Sequence, residues 1–422
     1  MMHFECHLPW LLLITGVAAA QAPAPYDLLL KGGHVIDPKN KIDTLMDVAI
    51  AGGKIAQVAP DIAARQARIV VPVDGLLVVP GLVDMHVHVF AGTMSGEYTG
   101  EYSVRPDGFT FRSGVTTVVD AGSSGWRNFA EFKQQTVDQS HTRVLAMLNI
   151  VGHGMGGRMT VEQVVTDMDA ARTAETAKQY RDLVVGIKIA HYAGPDWVPY
   201  ERAVEAGNLT NLPVMVDFAT FRPERPFQDL VLHKLRPGDI YTHTYLSAVP
   251  MLDDQGRVLP YLFEARKRGI IFDLGHGGGS FSWRQAVPAI RQGFVPDSIS
   301  TDLHVQSMNA GMKDMVTTMS KILNLGVSLA DVIKMSTTNP AQEIKRPELG
   351  NLSAGACADV AVLRLKTGDF GFLDAANSRY SGTQKLECEL TVRNGRVVWD
   401  LNGRAGVDWQ KAEPRRPSRK EP

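Results

Sequence analysis

The feature that most constrains the fold is a regular alternation of apolar, strand-like runs with segments of helical composition between about residues 80 and 349. Stretches such as 126–139, 160–181, 258–268 and 309–324 have helical composition. Eight such alternations over roughly 270 residues match the usual size of a (β/α)8 barrel. We therefore predict an α/β fold with a (β/α)8 TIM barrel over residues 81–349. The strand-like runs are 81–86, 116–120, 144–148, 184–188, 213–217, 239–243, 269–273 and 298–302.

The segments before and after this region have a different sequence pattern. Residues 24–80 contain short apolar runs separated by glycine pairs such as Gly52-Gly53, which is typical of β-hairpins. Residues 350–410 repeat the pattern, with Asn394-Gly395 as a hairpin turn. We predict that both chain ends combine into one small β-sandwich domain.

The extreme termini are predicted to lie outside both domains. Residues 1–22 are apolar and end in small residues, which is typical of a signal peptide, although His3 and His7 stand where Lys or Arg is usual. The alternative is an uncleaved or membrane-tethering segment. We expect an exported protein, periplasmic or secreted, whose mature form has no membrane contact. Residues 411–422 are basic and polar and are interpreted as a flexible tail.

The net charge bears on the class of partner, and the cysteines bear on disulfide pairing. The formal net charge is −1, which gives no support for nucleic acid or an anionic membrane as a partner. The expected partner is a small-molecule substrate. Cys6 lies in the predicted signal peptide. Cys357 and Cys388 would form a disulfide in an oxidising compartment or remain two free thiols, and the sequence does not choose between these alternatives.

Side chains able to bind metal end most of the strand-like runs. In a barrel, the carboxyl ends of the strands face one common site, so residues far apart in sequence converge there. The sharpest local motif is His86-Val87-His88, because side chains at i and i+2 of a strand point the same way. The strand-end residues are His86, Asp120, Lys188, Asp217, His243 and Asp302.

The run 78–86, together with the motif His86-Val87-His88 that closes it, resembles the first barrel strand of the amidohydrolase superfamily, and the similarity extends over nearly the whole mature chain. The resemblance implies one or two divalent ions, zinc with manganese as the alternative, and a homo-oligomer is a further expectation from family habit. It implies that Lys188 is carboxylated by CO2 and bridges two ions. It also implies that Asp302 is both a ligand and the catalytic proton shuttle. The implied metal ligands are His86, His88, Lys188, His243 and Asp302.

The fifth strand departs from the superfamily pattern. A histidine is usual at its end, whereas this chain has Asp217. Asp217 is a candidate ligand through a carboxylate oxygen. The alternatives are that it contacts a ligand instead, or that the second ion position is weak. His191, three residues after Lys188, is a weaker candidate ligand.

Within the superfamily, segments 235–243, 272–281 and 299–304 resemble the amidohydrolase/deacetylase branch, whose members are often mislabelled dihydroorotase. Some of its members resemble esterases for acetylated α-hydroxy acids. The resemblance implies hydrolysis of an ester or amide. Two glycine-rich stretches, 275–279 and 152–158, offer the substrate-binding candidates His276, His153 and Arg158.

Three other readings stay open. One is a different hydrolytic reaction on the same fold, either cyclic-amide opening of the dihydroorotase or hydantoinase type or deamination. Many deaminases lack the strand-four lysine ligand, whereas this chain has Lys188. Another is a D-aminoacylase, although similar D-aminoacylases carry a cysteine ligand after strand two, where this chain has Val118–Gly122. The third is a non-catalytic binding protein on the same fold, which the retained ligand set disfavours.

Overall fold

The computed structural model describes residues 24–90, 92, 103–155, 161–218 and 220–412. The predicted signal peptide over 1–22, the predicted tail from residue 413 onward and the candidate Arg158 lie outside these residues. Within the described ranges, no helix is both long enough and apolar enough to cross a membrane.

Strands group into a set before the barrel, a barrel set and a set after it. The first set is β1 (Tyr26–Asp37), β2 (Ile42–Ala51), β3 (Lys54–Ala59), β4 (Ala67–Pro72) and β5 (Leu77–Pro80). The barrel set is β6 (Leu82–Val87), β7 (Val115–Gly125), β8 (Arg143–Asn149), β9 (Val184–Ile189), β10 (Val214–Val216), β11 (Ile240–Tyr241) and β12 (Ile271–Phe272). The last set is β13 (Val360–Leu373), β14 (Arg379–Arg393) and β15 (Arg396–Asp400).

Helices alternate with the barrel strands and then close the barrel. They are α1 (Phe129–Gln135), α2 (Ala170–Gln179), α3 (Val198–Thr210), α4 (Phe227–Asp229), α5 (Pro260–Lys267), α6 (Trp283–Arg291), α7 (Met315–Leu323), α8 (Leu329–Met335) and α9 (Thr338–Glu343). A π-helical segment, Leu230–Lys234, continues α4. The predicted helical stretch 160–181 becomes an α-helix only in its second half, because Asp169 caps α2 by accepting a hydrogen bond from the Arg172 N–H.

The barrel strands form a parallel sheet in chain order from β6 to β12. The predicted eighth run, 298–302, closes the ring through two isolated parallel bridges, Asp273 with Ser298 and Val87 with Leu303. It does not form a continuous ladder, because the Thr301 N–H donates to the Asp84 carboxylate at 3.0 Å instead of to a neighbouring strand. The closed parallel ring fits the predicted barrel.

An apolar plug fills the lower part of the barrel. Inward residues of successive strands, including Met85, Met147 and Met215, form a buried cluster with Ile344 and Leu349 from beyond α9. This plug leaves the carboxyl ends of the strands as the place for a polar site.

The two chain ends form one eight-stranded sheet in the order β15-β14-β13-β5-β1-β2-β3, with β4 also paired to β1. The sheet curls around its own apolar core, which includes Leu30, Val48 and Val392. The curl brings the β2–β3 turn close to the β14–β15 turn, because the Ala358 backbone accepts from the Gly395 N–H at 2.9 Å and donates to the Gly53 carbonyl at 2.9 Å. The segments that combine are those predicted, but a two-sheet sandwich is not confirmed, since hydrogen bonding joins the strands into a single sheet.

The tip of the β13–β14 hairpin contacts the barrel at α6. The indole N–H of Trp283 donates to the Phe372 carbonyl at 3.2 Å and to the Ser378 carbonyl at 3.1 Å. The Ala375 N–H donates to the Phe281 carbonyl at 2.9 Å. The terminal sheet therefore supports the loop that follows β12.

Cys357 and Cys388 are free thiols. Of the two alternatives that the sequence left open, the structure has the unpaired one.

Candidate metal centre

His86 and His88 lie at the end of β6 with both rings buried. Thr242 donates its hydroxyl hydrogen to Asp273 at 2.8 Å, so the Nδ1–H of His86, 2.9 Å away, donates to the Thr242 oxygen. Nδ1 of His88 is 3.0 Å from the Ser123 hydroxyl. We call the end of the barrel that is formed by the carboxyl ends of its strands the barrel mouth. Because a hydroxyl group contacts Nδ1 of each histidine, each Nε2 faces the centre of this mouth.

Asp302 faces these two histidines from the eighth strand position. Its Oδ1 is 3.2 Å from His88 Nε2 and 3.6 Å from His86 Nε2. The ligand atoms of His86, His88 and Asp302 all lie within 4.8 Å of one another, which is compatible with one metal ion. Burial alone raises the pKa of Asp302, but the charge of His86 and the hydrogen bond from His88 hold this pKa well below its usual value.

Lys188 is the penultimate residue of β9 and points into the same space, with 1% of its surface exposed. Its Nζ is 3.2 Å from His86 Nε2 and 3.6 Å from Met215 Sδ. A Cβ on Gly122 would lie 2.7 Å from Lys188 Cγ, so glycine is required for the lysine stem to fit. Burial lowers the pKa of Lys188, and no described carboxylate lies within ion-pair distance of its Nζ.

His243 and Asp217 form the opposite side of the mouth. Nδ1–H of His243 donates to the Gly275 carbonyl at 2.6 Å, and its Nε2 is 3.4 Å from Asp217 Oδ2. The same carboxylate oxygen is 2.9 Å from His191 Nε2. The far side of the His191 ring contacts Glu162, with 2.8 Å between Nδ1 and Oε2.

A buried polar layer lies behind the histidines. Asp273 accepts from Thr242 at 2.8 Å, from Ser300 at 2.6 Å and from Ser298 at 3.0 Å. Burial raises the pKa of Asp273. Asp120, in contrast, accepts the backbone N–H groups of Val89 and Ser123 and organises the loops around β6 and β7.

The donor set fits a divalent ion. Once Nδ1 of His243 donates to a carbonyl, its Nε2 carries a lone pair, and this lone pair faces the Asp217 carboxylate. Two acceptors at 3.4 Å need a cation or a proton between them. Imidazole nitrogens with carboxylate oxygens are the donors that zinc takes, and manganese is the alternative with oxygen-rich sets.

The substrate-binding candidates are not grouped with these residues. His276 is buried, with its ring stacked on Phe281 at 4.6 Å and Nε2 2.5 Å from Lys321 Nζ. His153 is exposed, and its backbone carbonyl accepts from Asn128. Arg158 lies outside the described residues. Roles for all three in binding substrate stay predictions.

Sequence reasoning missed several residues of the site. Thr242 and Asp273 have a signal in the sequence, since one precedes His243 and the other ends the seventh strand-like run. His304 also has a signal in the sequence, since it follows Asp302 by two residues, and its Nε2 is 3.8 Å from Asp302 Oδ2. Glu162 had no such signal, because 29 residues separate it from the histidine that it contacts.

Comparisons with known proteins identify relatives of this chain. A sequence profile described as the amidohydrolase family matches residues 282–398. A deacetylase of Agrobacterium fabrum is 34% identical over 343 residues, which cover 78% of this chain and 81% of the relative. A deacetylase of Brucella anthropi is 35% identical over 314 residues, covering 71% of this chain and 74% of the relative.

Two solved structures are similar over most of the chain. A crystal structure titled as an adenine deaminase has a TM-score of 0.80 and 27% identity, covering 89% of this chain and 100% of its own. A crystal structure titled as a dihydroorotase has a TM-score of 0.77 and 29% identity, covering 88% of this chain and 99% of its own.

Proposed function

The chain belongs to the amidohydrolase superfamily and is a hydrolytic enzyme, and from that premise we propose that it is a metal-dependent hydrolase of the deacetylase or esterase type that cleaves an ester or an amide. The observation that supports this most directly is the cluster of His86, His88 and Asp302, whose ligand atoms lie within 4.8 Å of one another at the barrel mouth. The deacetylase names of relatives that cover most of the chain support the acyl class.

We propose that the cluster holds one or two divalent ions, zinc or manganese. A bound ion would supply acidification of water and polarisation of the substrate carbonyl. The residues that would hold it are His86, His88, Lys188, His243 and Asp302, with Asp217 on the second side.

Lys188 would enter this set as a carbamate. Its amine nitrogen would form a bond to the carbon of CO2 and release a proton, which leaves an anionic group with two oxygen donors. An unmodified ammonium 3.2 Å from His86 Nε2 would repel a dication, whereas the carbamate would attract it.

Asp302 would move the proton. Its carboxylate would accept a proton from the attacking water and deliver that proton to the leaving oxygen or nitrogen, which is general acid–base catalysis. Gly277 leaves room for this carboxylate, because a Cβ at that position would lie 2.5 Å from Asp302 Oδ2.

The test combines metal analysis with a substrate panel. Protein expressed with bicarbonate and Zn²⁺ or Mn²⁺ is measured for metal per chain and assayed on O-acetyl-hydroxy acids, N-acetyl-amino acids, dihydroorotate and adenine. We expect bound metal and turnover of an acetylated substrate, both of which are lost on chelation. Metal-free protein with no turnover would contradict the proposal.

A cyclic-amide hydrolase is the second candidate, favoured by the likeness to the dihydroorotase structure at 29% identity. It shares the same proposed metal and proton shuttle and differs only in substrate. Turnover of dihydroorotate without turnover of acetylated substrates would select it.

A further inference from the structure

We propose that His191, in the loop after β9, supplies the imidazole that the fifth strand lacks, so that His191, Asp217 and His243 together bind the second divalent ion. This inference rests on the proposed metal-dependent function. It assigns Asp217 and His191 jointly to the position where the superfamily pattern has one histidine.

The contacts place Asp217 at the centre of a row of three candidate ligands. Asp217 Oδ2 lies between two imidazole nitrogens, 2.9 Å from His191 Nε2 and 3.4 Å from His243 Nε2. All three side chains are mostly buried, and 24% of the His191 side chain is exposed. An ion bound by all three would replace the hydrogen bond between His191 and Asp217.

Glu162 orients His191 as a metal-binding histidine is usually oriented. Its Oε2 is 2.8 Å from Nδ1 and accepts the Nδ1–H, while Nε2–H donates to Asp217 at 2.9 Å. Binding of an ion would release the proton on Nε2 and keep the one on Nδ1. A carboxylate on the far nitrogen of a ligating histidine sets the tautomer and raises the basicity of the ligand. Glu162 is itself buried, so this contact is not a surface ion pair.

The backbone of His191 resembles that of the other strand-end ligands. His191, His243 and Asp302 have φ angles of +54°, +64° and +49°, in the left-handed region that non-glycine residues rarely adopt. Strain of this kind persists where surrounding contacts hold it, typically at functional sites. At His191 the contacts come from Gln163, whose amide donates to the His191 carbonyl at 2.9 Å and accepts from the Ala193 N–H at 2.8 Å.

The decisive variant is His191→Gly, because glycine adopts a positive φ without strain and therefore removes the imidazole alone. Metal per chain is measured after equilibrium dialysis against Zn²⁺, and the visible absorption of the Co²⁺-loaded protein reports the coordination of each position. We expect two ions in the wild type and one in His191→Gly, with the affinity for the second ion reduced more than about 100-fold. Free imidazole should restore the second ion and its Co²⁺ absorption.

Two further variants sharpen the test. Glu162→Gln should weaken only the second ion, by roughly 10- to 100-fold, because the imidazole remains and loses its carboxylate. His233→Ala, which removes an exposed histidine from the segment after α4, should leave the metal content unchanged.

Three results would count against the inference and are distinguishable. Two ions in His191→Gly would mean that His191 only holds Asp217 by a hydrogen bond. One ion in both wild type and variant, with hydrolysis intact, would remove the second position and leave the proposed function standing. Absence of metal from an inactive wild type would overturn the proposed function itself.

Discussion

Buried carboxylates have different charged partners in the terminal sheet and at the barrel mouth. Glu389 of β14 is buried and accepts from Arg364 at 2.9 Å, from Arg404 at 2.7 Å and from Asn402 at 2.8 Å. These partners, acting against burial, lower the pKa of Glu389 to about 2. Asp302 is also buried, yet its described ion-pair partners are histidines rather than arginine or lysine.

The difference separates a structural charge from a functional one. In the terminal sheet, fixed guanidinium groups neutralise the carboxylate, so it needs nothing further. At the barrel mouth, the facing groups are imidazoles whose Nδ1 atoms are occupied, and these cannot all supply permanent positive charge. At the barrel mouth the charge of the carboxylates is therefore balanced by groups that can give up a proton to a bound ion, whereas in the terminal sheet it is balanced by guanidinium groups that cannot.

The largest effect on hydrolysis is expected for His86→Ala. Loss of Nε2 removes a candidate ligand that contacts both Asp302 and Lys188, so metal and activity should disappear together. Metal analysis and the acetyl-ester assay on one sample check this. A variant that keeps its metal and its activity would show that the barrel mouth is not the site.

Asp302→Asn should affect metal content and catalytic activity to different degrees. The amide keeps an oxygen donor but cannot accept the water proton, so kcat should fall by about 10²- to 10⁴-fold while metal content falls much less. Equal loss of metal and kcat would contradict the proton-shuttle role.

Thr242→Val tests the layer behind the histidines. It breaks the connection from Asp273 to His86 and should weaken metal binding by roughly 10- to 100-fold. Thr244→Val is the matched control, because the Thr244 hydroxyl donates to the Asp273 backbone carbonyl and contacts no candidate ligand. Similar metal affinities for the two variants would argue against the orienting role.

Glu389→Gln should have the smallest effect on hydrolysis and a clear effect on stability. The folded pKa of about 2 lies below the ordinary value of 4.5, so the contribution is complete above pH 4.5 and is lost as the pH falls toward 2. The free energy of unfolding at pH 7 should fall by on the order of 2–3 kcal/mol, and its dependence on pH between 5 and 2 should flatten.

Urea unfolding across this pH range measures the effect, with Glu387→Gln as control. Glu387 pairs with Lys366 at the surface, and its loss should cost less than about 1 kcal/mol. Metal loss in Glu389→Gln without loss of stability would contradict the distinction between a structural carboxylate in the terminal sheet and a functional one at the barrel mouth.

Most of the barrel could be predicted, because its pattern is local. Each strand-like run carries its own apolar residues, and the His86-Val87-His88 spacing is readable within one strand. The irregular eighth strand could not be predicted, since it depends on Asp84, 217 residues away, taking the Thr301 N–H. Contacts between Glu162 and His191, or between Thr242 and His86, likewise depend on how loops meet in three dimensions.

The single terminal sheet escaped prediction for a similar reason. Short apolar runs between glycine pairs indicate strands but not their partners. Here the long strand β1 pairs with β2 on one side and with both β4 and β5 on the other, which links segments that a two-sheet arrangement would separate.

The contacts of Lys321 limit how the barrel of one such enzyme can be joined to the terminal sheet of another. Its Nζ contacts His276 in the loop after β12, the Gly311 carbonyl beyond the eighth strand and the Leu373 carbonyl at the tip of the β13–β14 hairpin. A chimera that joined this barrel to the terminal sheet of a relative would have to bring a matching hairpin tip, or else the loop beside Asp302 would lose an anchor. The family profile matches residues 282–398, a stretch that runs from α6 of the barrel into the terminal sheet and so includes this anchor.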